Sequence, residues 1–509
     1  MLTASGDNRA VVIGAGLGGL ASAMRLGAKG YAVTVVDRLD RAGGRGSSIT
    51  MEGHRFDLGP TIVTMPELFS DLWAACGRDF RSDVDLRPLD TFYEIRWPDG
   101  SSFKACADTD RMVEEVRRLS PGDVNGYLRF LKGSEARYRI GFERLGRMPM
   151  HKLSQTIRVL PDFARLRADR SILSLAKSLV KDDRLRMALS FHPLFIGGDP
   201  SNVTSMYALV GHLEKTFGVH YAIGGVQAIA DAMATVVRDQ GGTIRLGAEA
   251  DEILLDQGRA RGVRMKTGET LSAPLIVSNA DAGHTYAHLL RKSPRTRWTD
   301  RRLNRASWSM GLFVWYFGTR GTRQMWRDVG HHTIINGPRY AELLKDIFGR
   351  GHLAPDMSLY LHRPSVTDPG VAPEGDDTFY ALSPVPHLGW EDPVDWSERR
   401  ESYRQAVAQV LEAHIPGFQA HLGPSHILTP EDFRTRYLSP NGSGFSIEPR
   451  ILQSAWFRPH NVSEEAKGLY LAGAGTHPGA GLPGVIASAE VLDSLVPPAP
   501  AADVRLAAE

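Results

Sequence analysis

The chain has 509 residues, 42% of them hydrophobic and 23% charged, enough apolar material for two or three domains with substantial cores. Lys and Arg number 60 against 58 Asp and Glu, and a formal charge of +2 gives no reason to expect a nucleic-acid partner. The two cysteines, Cys76 and Cys106, form neither a metal-binding pattern nor a disulfide framework, which points to a reducing cytoplasmic compartment.

The opening MLTASGDNRA has no apolar run, so neither a signal peptide nor a membrane-spanning helix is expected, and any membrane contact should come from one side. Residues 9–37 then spell strand, glycine turn, helix, second strand and carboxylate. Gly14, Gly16 and Gly19 occupy the small positions of G-x-G-x-x-G, with Ala15 and Gly18 between them. The first allows a tight turn, the second the approach of a pyrophosphate, and the third close packing of helix on strand. Asp37 ends the second strand, where a carboxylate can accept ribose hydroxyls. This is the pattern of a dinucleotide clamp. A nicotinamide enzyme should continue with another βαβ unit, but a second glycine-rich loop follows instead, with Arg38, Gly44 and Arg45, and then HRFDLGP with Gly59, Pro60 and, next in line, Thr61. Such a loop suits a longer cofactor, and the Arg45 fork suits a phosphate or carbonyl oxygen.

Residues 75–221 are largely helical in pattern. Over 127–190 basic residues alternate with Leu, Ile, Phe and Met, which fits either an interfacial helix on anionic lipid or a solvated face over a core. After LIVSNA, Asp281 is placed first as a helix N-cap and second as a cofactor contact. Residues 286–434 mix strands such as MGLFVWYFG and MSLYLHR with helices such as ESYRQAVAQVLEAHI. Trp308, Trp315 and Phe457 suit a hydrocarbon tunnel and a core equally well. No Ser/His/Asp constellation and no metal-spaced histidines are seen. The rings of His331 and His332 should point apart, and His192, His220 and His362 stand alone. Near the end, residues 468–492 give a buried strand, a glycine turn with Gly473, Ala474 and Gly475, and a helix of small residues. Gly484 and Val485 open that helix, where free N–H groups can meet negative charge. The last residues, 498–509, should fray.

The GAGLGG turn, Asp37-Arg38 with GGR, HRFDLGP and GLYLAGAGTHPGAGLPGVIAS together resemble the bacterial-type phytoene desaturases, the carotenoid branch of the FAD-dependent amine-oxidase-like superfamily. SFHPLFIGGDP, HYAIGGVQAIADAM, VSNADAGHTY, WSMGLFVWYFGT and EPRILQSAWFRPHN are especially similar to the enzymes of purple photosynthetic bacteria, and the likeness covers nearly the whole chain. The resemblance implies an α/β fold, α+β overall. A Rossmann-like FAD domain would be built from 1–70, 222–285 and 435–497, interleaved with a mixed-sheet substrate domain (286–434) and a helical, membrane-facing region (75–221). It implies FAD as cofactor, phytoene and its partly desaturated intermediates as substrates, quinone or oxygen as electron acceptor, and a cytoplasmic protein held peripherally on the inner or intracytoplasmic membrane. The backbone at Ala250 is expected to meet the adenine. Hydride would leave an allylic carbon for flavin N5, and the neighbouring proton is then acidic enough that no catalytic side chain and no metal are expected.

Three positions depart from the family pattern. Lys467 replaces the usual Asn, Ala250 a more usual Val, and Gly475 a carboxylate that amine oxidases use to hold the ribityl chain. The last weakens an amine-oxidase assignment. Desaturases of hydroxylated or methoxylated carotenoids, carotene ketolases, and flavin-free prenyl-binding GDP-dissociation inhibitors share the scaffold and remain rivals.

Overall fold

The computed structural model describes residues 7–500, so most of the expected frayed tail lies outside the described residues. The strand Arg9–Ile13 is the centre of a five-stranded, all-parallel sheet in which Leu469–Leu471, Leu275–Ser278, Arg9–Ile13, Ala32–Val36 and Thr243–Arg245 lie side by side. These strands are short and nearly continuous in β-branched and aliphatic residues, as strands covered on both faces must be. Helices Leu17–Ala28, Val226–Asp239 and Leu482–Leu495 pack over the sheet, and their apolar sides meet in one core with Val12, Val33 and Val35. All strands point the same way, so their carboxyl ends and the helix N-termini that follow them gather along one edge. Residues far apart in the chain therefore meet there.

A second, seven-stranded sheet has the order Leu422–Leu428, Gly311–Thr319, Asp377–Val385, Leu359–His362, His332–Ile335, Tyr93–Arg96, Ser102–Ala105. Gly311–Thr319 is buried along its whole length, with Phe313, Trp315 and Phe317 in a core against Trp396–Glu412. Trp315 is thus core and not tunnel, and Trp308 packs behind the first sheet with Tyr286 and Trp298. The sheet recruits the hairpin Tyr93–Arg96/Ser102–Ala105 from the stretch expected to be helical, paired in parallel through Thr333 and Glu94. A four-residue strand has too short a period to stand out in sequence, and pairing with a partner some 240 positions away supplies the stability it lacks alone. The remainder of 75–221 is largely helical, including Val124–Tyr138, Leu153–Arg165 and Leu209–Phe217, apart from the short strand Leu86–Pro88, which pairs with His220–Ala222. No described helix is long and apolar enough to cross a membrane.

Candidate functional site

A cavity of about 860 Å³ runs from the carboxyl edge of the parallel sheet, between the two sheets, to an opening beside the helix Leu153–Arg165. At the sheet edge its wall is glycine. Gly43 donates its N–H to the Ala15 carbonyl at 2.8 Å, which stitches the two glycine loops together. Gly16 is the N-cap of Leu17–Ala28 and makes no side-chain cap, so the first N–H groups of that helix are left for another acceptor. Gly481 is the N-cap of Leu482–Leu495, likewise without a side-chain cap, and a Cβ on Gly18 of the first helix would stand 3.0 Å from Val485 of this one, so the two helix starts are neighbours.

Of the residues expected to hold the cofactor, Gly14, Gly16, Gly18, Asp37, Arg38, Gly44, Arg45, Gly59, Pro60, Thr61, Ala250, Gly473, Ala474, Gly484 and Val485 line this cavity. Ala15, Gly19 and Gly475 do not. Ala15 points away and donates its N–H to Asp37 Oδ2 at 2.7 Å. A Cβ on Gly19 would sit 1.9 Å from the Gly14 carbonyl, the helix-on-strand packing expected of the third glycine. A Cβ on Gly475 would meet Ala282 N and Ser446 Oγ, both at 2.9 Å, so that glycine packs the turn and does not border the cavity.

Asp37 also accepts from Leu39 N–H at 2.8 Å; burial raises its carboxyl while these two N–H groups oppose the shift. Arg38 reaches the carbonyls of Thr435 and Arg436 at 2.7 and 2.6 Å and so ties the first segment to the last. Arg45 is bonded to Ser439 Oγ and sits over the Tyr437 ring, 5.6 Å from its centroid. Burial pulls its guanidinium below the ordinary value, with Asp281 opposing, yet an arginine stays a cation in a protein. Asp281 accepts from Gly283 N–H at 2.9 Å as the expected N-cap. Its other oxygen is buried without a partner and its side chain also borders the cavity. Open helix N-termini, a fixed cation, an acceptor at the second strand's end and a wall without side chains fit a flavin dinucleotide.

Residues 17–490 match the model of the flavin containing amine oxidoreductases. The chain belongs to this family. Membership carries a flavin cofactor. Similar chains include the neurosporene-forming phytoene desaturases of Cereibacter sphaeroides, 67% identical with 98% of this chain and 96% of that one covered, and of Rhodobacter capsulatus, 63% identical with 99% and 96% covered. A lycopene-forming phytoene desaturase of Paracoccus is 42% identical, with 94% and 95% covered. Among solved structures, an oxidoreductase from Methanosarcina mazei superposes with a TM-score of 0.66 at 18% identity, covering 94% of this chain and 98% of that one. A Rab GDI from Plasmodium falciparum gives 0.55 at 11% identity, with 96% and 98% covered, which shows that the fold alone is shared with that rival class.

In this flavin oxidoreductase several site residues went unread in sequence. Asn279 is wedged among the glycines, and a Cβ on Gly16, Gly18 or Gly473 would come within 2.8, 2.6 or 2.4 Å of its amide. Arg458 is fully buried and donates to the carbonyls of Thr476, Ile447 and Ala474 at 3.1, 3.1 and 2.7 Å, clamping the last glycine turn. Neither belongs to a spaced motif, and only a buried Arg amid carbonyls reveals such a role.

The histidines depart from expectation. His332 pairs across the strands with His362, and His331 Nε2 lies 3.0 Å from His362 Nε2, so three rings expected apart form one buried group. One nitrogen of each lies within 4.8 Å of the others, a spacing a metal could use, contrary to the expected lack of metal-spaced histidines. The trio stands off the main cavity; His331 bonds Thr367 Oγ1 and His332 Nδ1 donates to the Phe92 carbonyl. His192, also expected alone, is joined to Tyr93 and Glu214 and borders the cavity.

Burial lowers His284, His332, His387 and His477 from 6.5 to about 4. Their contribution to stability is complete above pH 6.5 and is lost as pH falls toward 4, because the unfolded chain takes up protons first. Asp57, pushed by burial from 3.8 to about 7, works in the opposite sense, its contribution lost as pH rises through that window. Four groups outweigh one, each with a limiting slope of about 1.4 kcal/mol per pH unit. The urea midpoint is therefore expected to fall clearly between pH 7 and pH 5, and an equal or higher midpoint at pH 5 would contradict the assignment.

Proposed function

We propose that this chain is an FAD-dependent phytoene desaturase of carotenoid biosynthesis, working on substrate drawn from a lipid surface. The observation that carries the proposal is the continuity of the cavity: the glycine-walled edge passes into a region lined by Leu, Ile, Phe and Tyr, and this reaches the exterior through an exposed apolar lip. Bound FAD would supply a two-electron acceptor for hydride from an allylic CH2–CH2 unit. The remaining tasks fall to the chain. The Gly16 helix end, Asp37, Arg45 and the Gly484 turn would hold the pyrophosphate, ribose and ring. Phe195, Leu312, Val314, Tyr360 and Leu382 would align an extended hydrocarbon and keep water out. Tyr360 and Tyr380 spend their hydroxyls on Thr61 Oγ1 and the Gly59 carbonyl, and both residues border the cavity.

Leu153, Ile157 and Leu160 follow one another on one face of their helix and are 48%, 55% and 52% exposed, and Leu452 is 70% exposed. All four border the cavity mouth, while Lys152, Arg158 and Arg165 project nearby into solvent. Apolar side chains with flanking cations suit the interface of an anionic bilayer.

FAD-loaded protein incubated with phytoene in liposomes is expected to yield pigment whose absorption bands move to longer wavelength in discrete steps. No new chromophore from phytoene, together with turnover of a hydroxylated carotenoid, would transfer the assignment to the later desaturases. A preparation that never holds flavin would favour a carrier.

A further inference from the structure

Two cations on the cavity wall have no anion. Arg45 and Arg436 both border the cavity, both are part-buried, and their guanidiniums stand over the same Tyr437 ring, 5.6 and 5.7 Å from its centroid. In each the Nε is buried without a hydrogen-bond partner, and neither has a carboxylate within ion-pair distance among the described residues. The arginines around them are paired: Arg38 with Glu249, Arg400 with Asp432 and Arg434 with Glu431. Like charges gathered at one ring in partly desolvated surroundings repel, and an anion that both can reach removes the repulsion.

Their place along the sheet edge identifies that anion. Gly44, directly before Arg45, packs on Gly16, where a Cβ on Gly44 would stand 3.2 Å from the Gly16 Cα, so Arg45 leaves the chain beside the open start of Leu17–Ala28. Arg436 lies near Asp37: burial raises the Asp37 carboxyl, and Arg436 is one of the cations that oppose the rise. The pair thus belongs to the stretch that runs from the ribose acceptor to the open helix start. In a flavin dinucleotide the group next to that ribose is the pyrophosphate, its anionic part.

The two cations come from different halves of the molecule. Arg45 sits in the loop that follows the parallel sheet's second strand. Arg436 ends the short helix Pro430–Arg436, which hangs from the edge strand Leu422–Leu428 of the seven-stranded sheet and is pinned by Phe433 to a core shared with Leu312, Val314 and Leu428. Arg38 donates to the carbonyls of Thr435 and Arg436, so the end of this helix is docked on the residue after Asp37. Resting on the FAD reading above, we propose that Arg436 is a second pyrophosphate cation, delivered by the seven-stranded sheet to meet Arg45 of the parallel sheet. The cofactor's pyrophosphate then ties the two sheets together, and without it the two guanidiniums push them apart.

The test is calorimetric titration of the flavin-free full-length chain with FAD and with ADP, which carries the diphosphate but neither the ribityl chain nor the ring. Arg436→Gln is expected to weaken both by the same factor, roughly 10- to 100-fold, the range of a hydrogen bond to a charged group, and Arg436→Lys to recover part of the loss. Because this guanidinium has no ion-pair partner in the protein, flavin-free Arg436→Gln should melt like the flavin-free wild type, while the rise in melting temperature on adding FAD shrinks. In the wild type, ADP alone should slow amide hydrogen exchange over residues 430–438. FAD affinity unchanged in Arg436→Gln, or weakened with ADP unaffected, would overturn the assignment, and so would a flavin-free variant that melts well below the wild type. Exchange over 430–438 indifferent to ADP would overturn the tie between the sheets. Unaltered chain that binds neither FAD nor ADP would instead overturn the cofactor reading.

Discussion

Gly16→Val is expected to yield a purified protein that is colourless or nearly so. The residue lies where four structures converge: the turn after Arg9–Ile13, the first helix, the second glycine loop and Asn279. A Cβ there would stand 2.8 Å from Asn279 Oδ1, and a Cβ on neighbouring Gly44 would stand 3.2 Å from the Gly16 Cα, so the space is closed from two sides. Its backbone is extended, with φ of −69° and ψ of 169°, so the substitution acts through bulk and not through a forbidden conformation. A branched side chain would either displace Asn279, which donates to the Ala472 carbonyl at 2.9 Å, or occupy the approach to the free N–H groups of the helix. Overpacking of this kind costs about 1–3 kcal/mol, which corresponds to roughly 5- to 150-fold weaker retention before any loss of direct phosphate contact. Gly330→Ala is the control, because a Cβ at that exposed position meets nothing within 4 Å. The ratio of flavin to protein absorbance reads the outcome, and undiminished flavin in Gly16→Val would remove the glycine turn from the binding site.

The glycine spacing made this part of the molecule legible in sequence. A turn that must be tight, a backbone that must be bare and a helix that must lie close each demand the same residue, so Gly14, Gly16 and Gly19 announce strand, turn and helix together. The same logic located the terminal turn, although Gly475 proved to serve packing. What could not be read depends on register across long separations. The pairing of His332 with His362 and the contact of Tyr93 with Glu214 join residues whose local sequences give no sign of one another. Arg458 and Asn279 act on carbonyls and glycines of distant segments, and a lone Arg or Asn has no period to betray it. The lip was half legible: alternating basic and apolar residues announced an amphipathic helix, but only the fold shows that its apolar face is turned outward beside a cavity mouth.

That outward face leads to the second large effect. Replacing Leu153, Ile157 and Leu160 together by Glu is expected to detach the protein from anionic vesicles and to suppress phytoene conversion in liposomes. Each side chain is about half exposed, so each adds about 1 kcal/mol when the remaining apolar area leaves water, giving about 3 kcal/mol for the three, or roughly 150-fold in partitioning. Three carboxylates add repulsion from anionic headgroups that Lys152, Arg158 and Arg165 otherwise attract. Because the three side chains face solvent and only Val159 of this helix is buried, the flavin content and melting temperature should barely move. Vesicle co-sedimentation separates the possibilities. If the face meets lipid, binding falls steeply in the triple variant and the wild type weakens with added salt through its basic flank. If the variant sediments like the wild type, the exposed leucines serve only as the rim of the cavity, and substrate must arrive by a route other than direct contact with the bilayer.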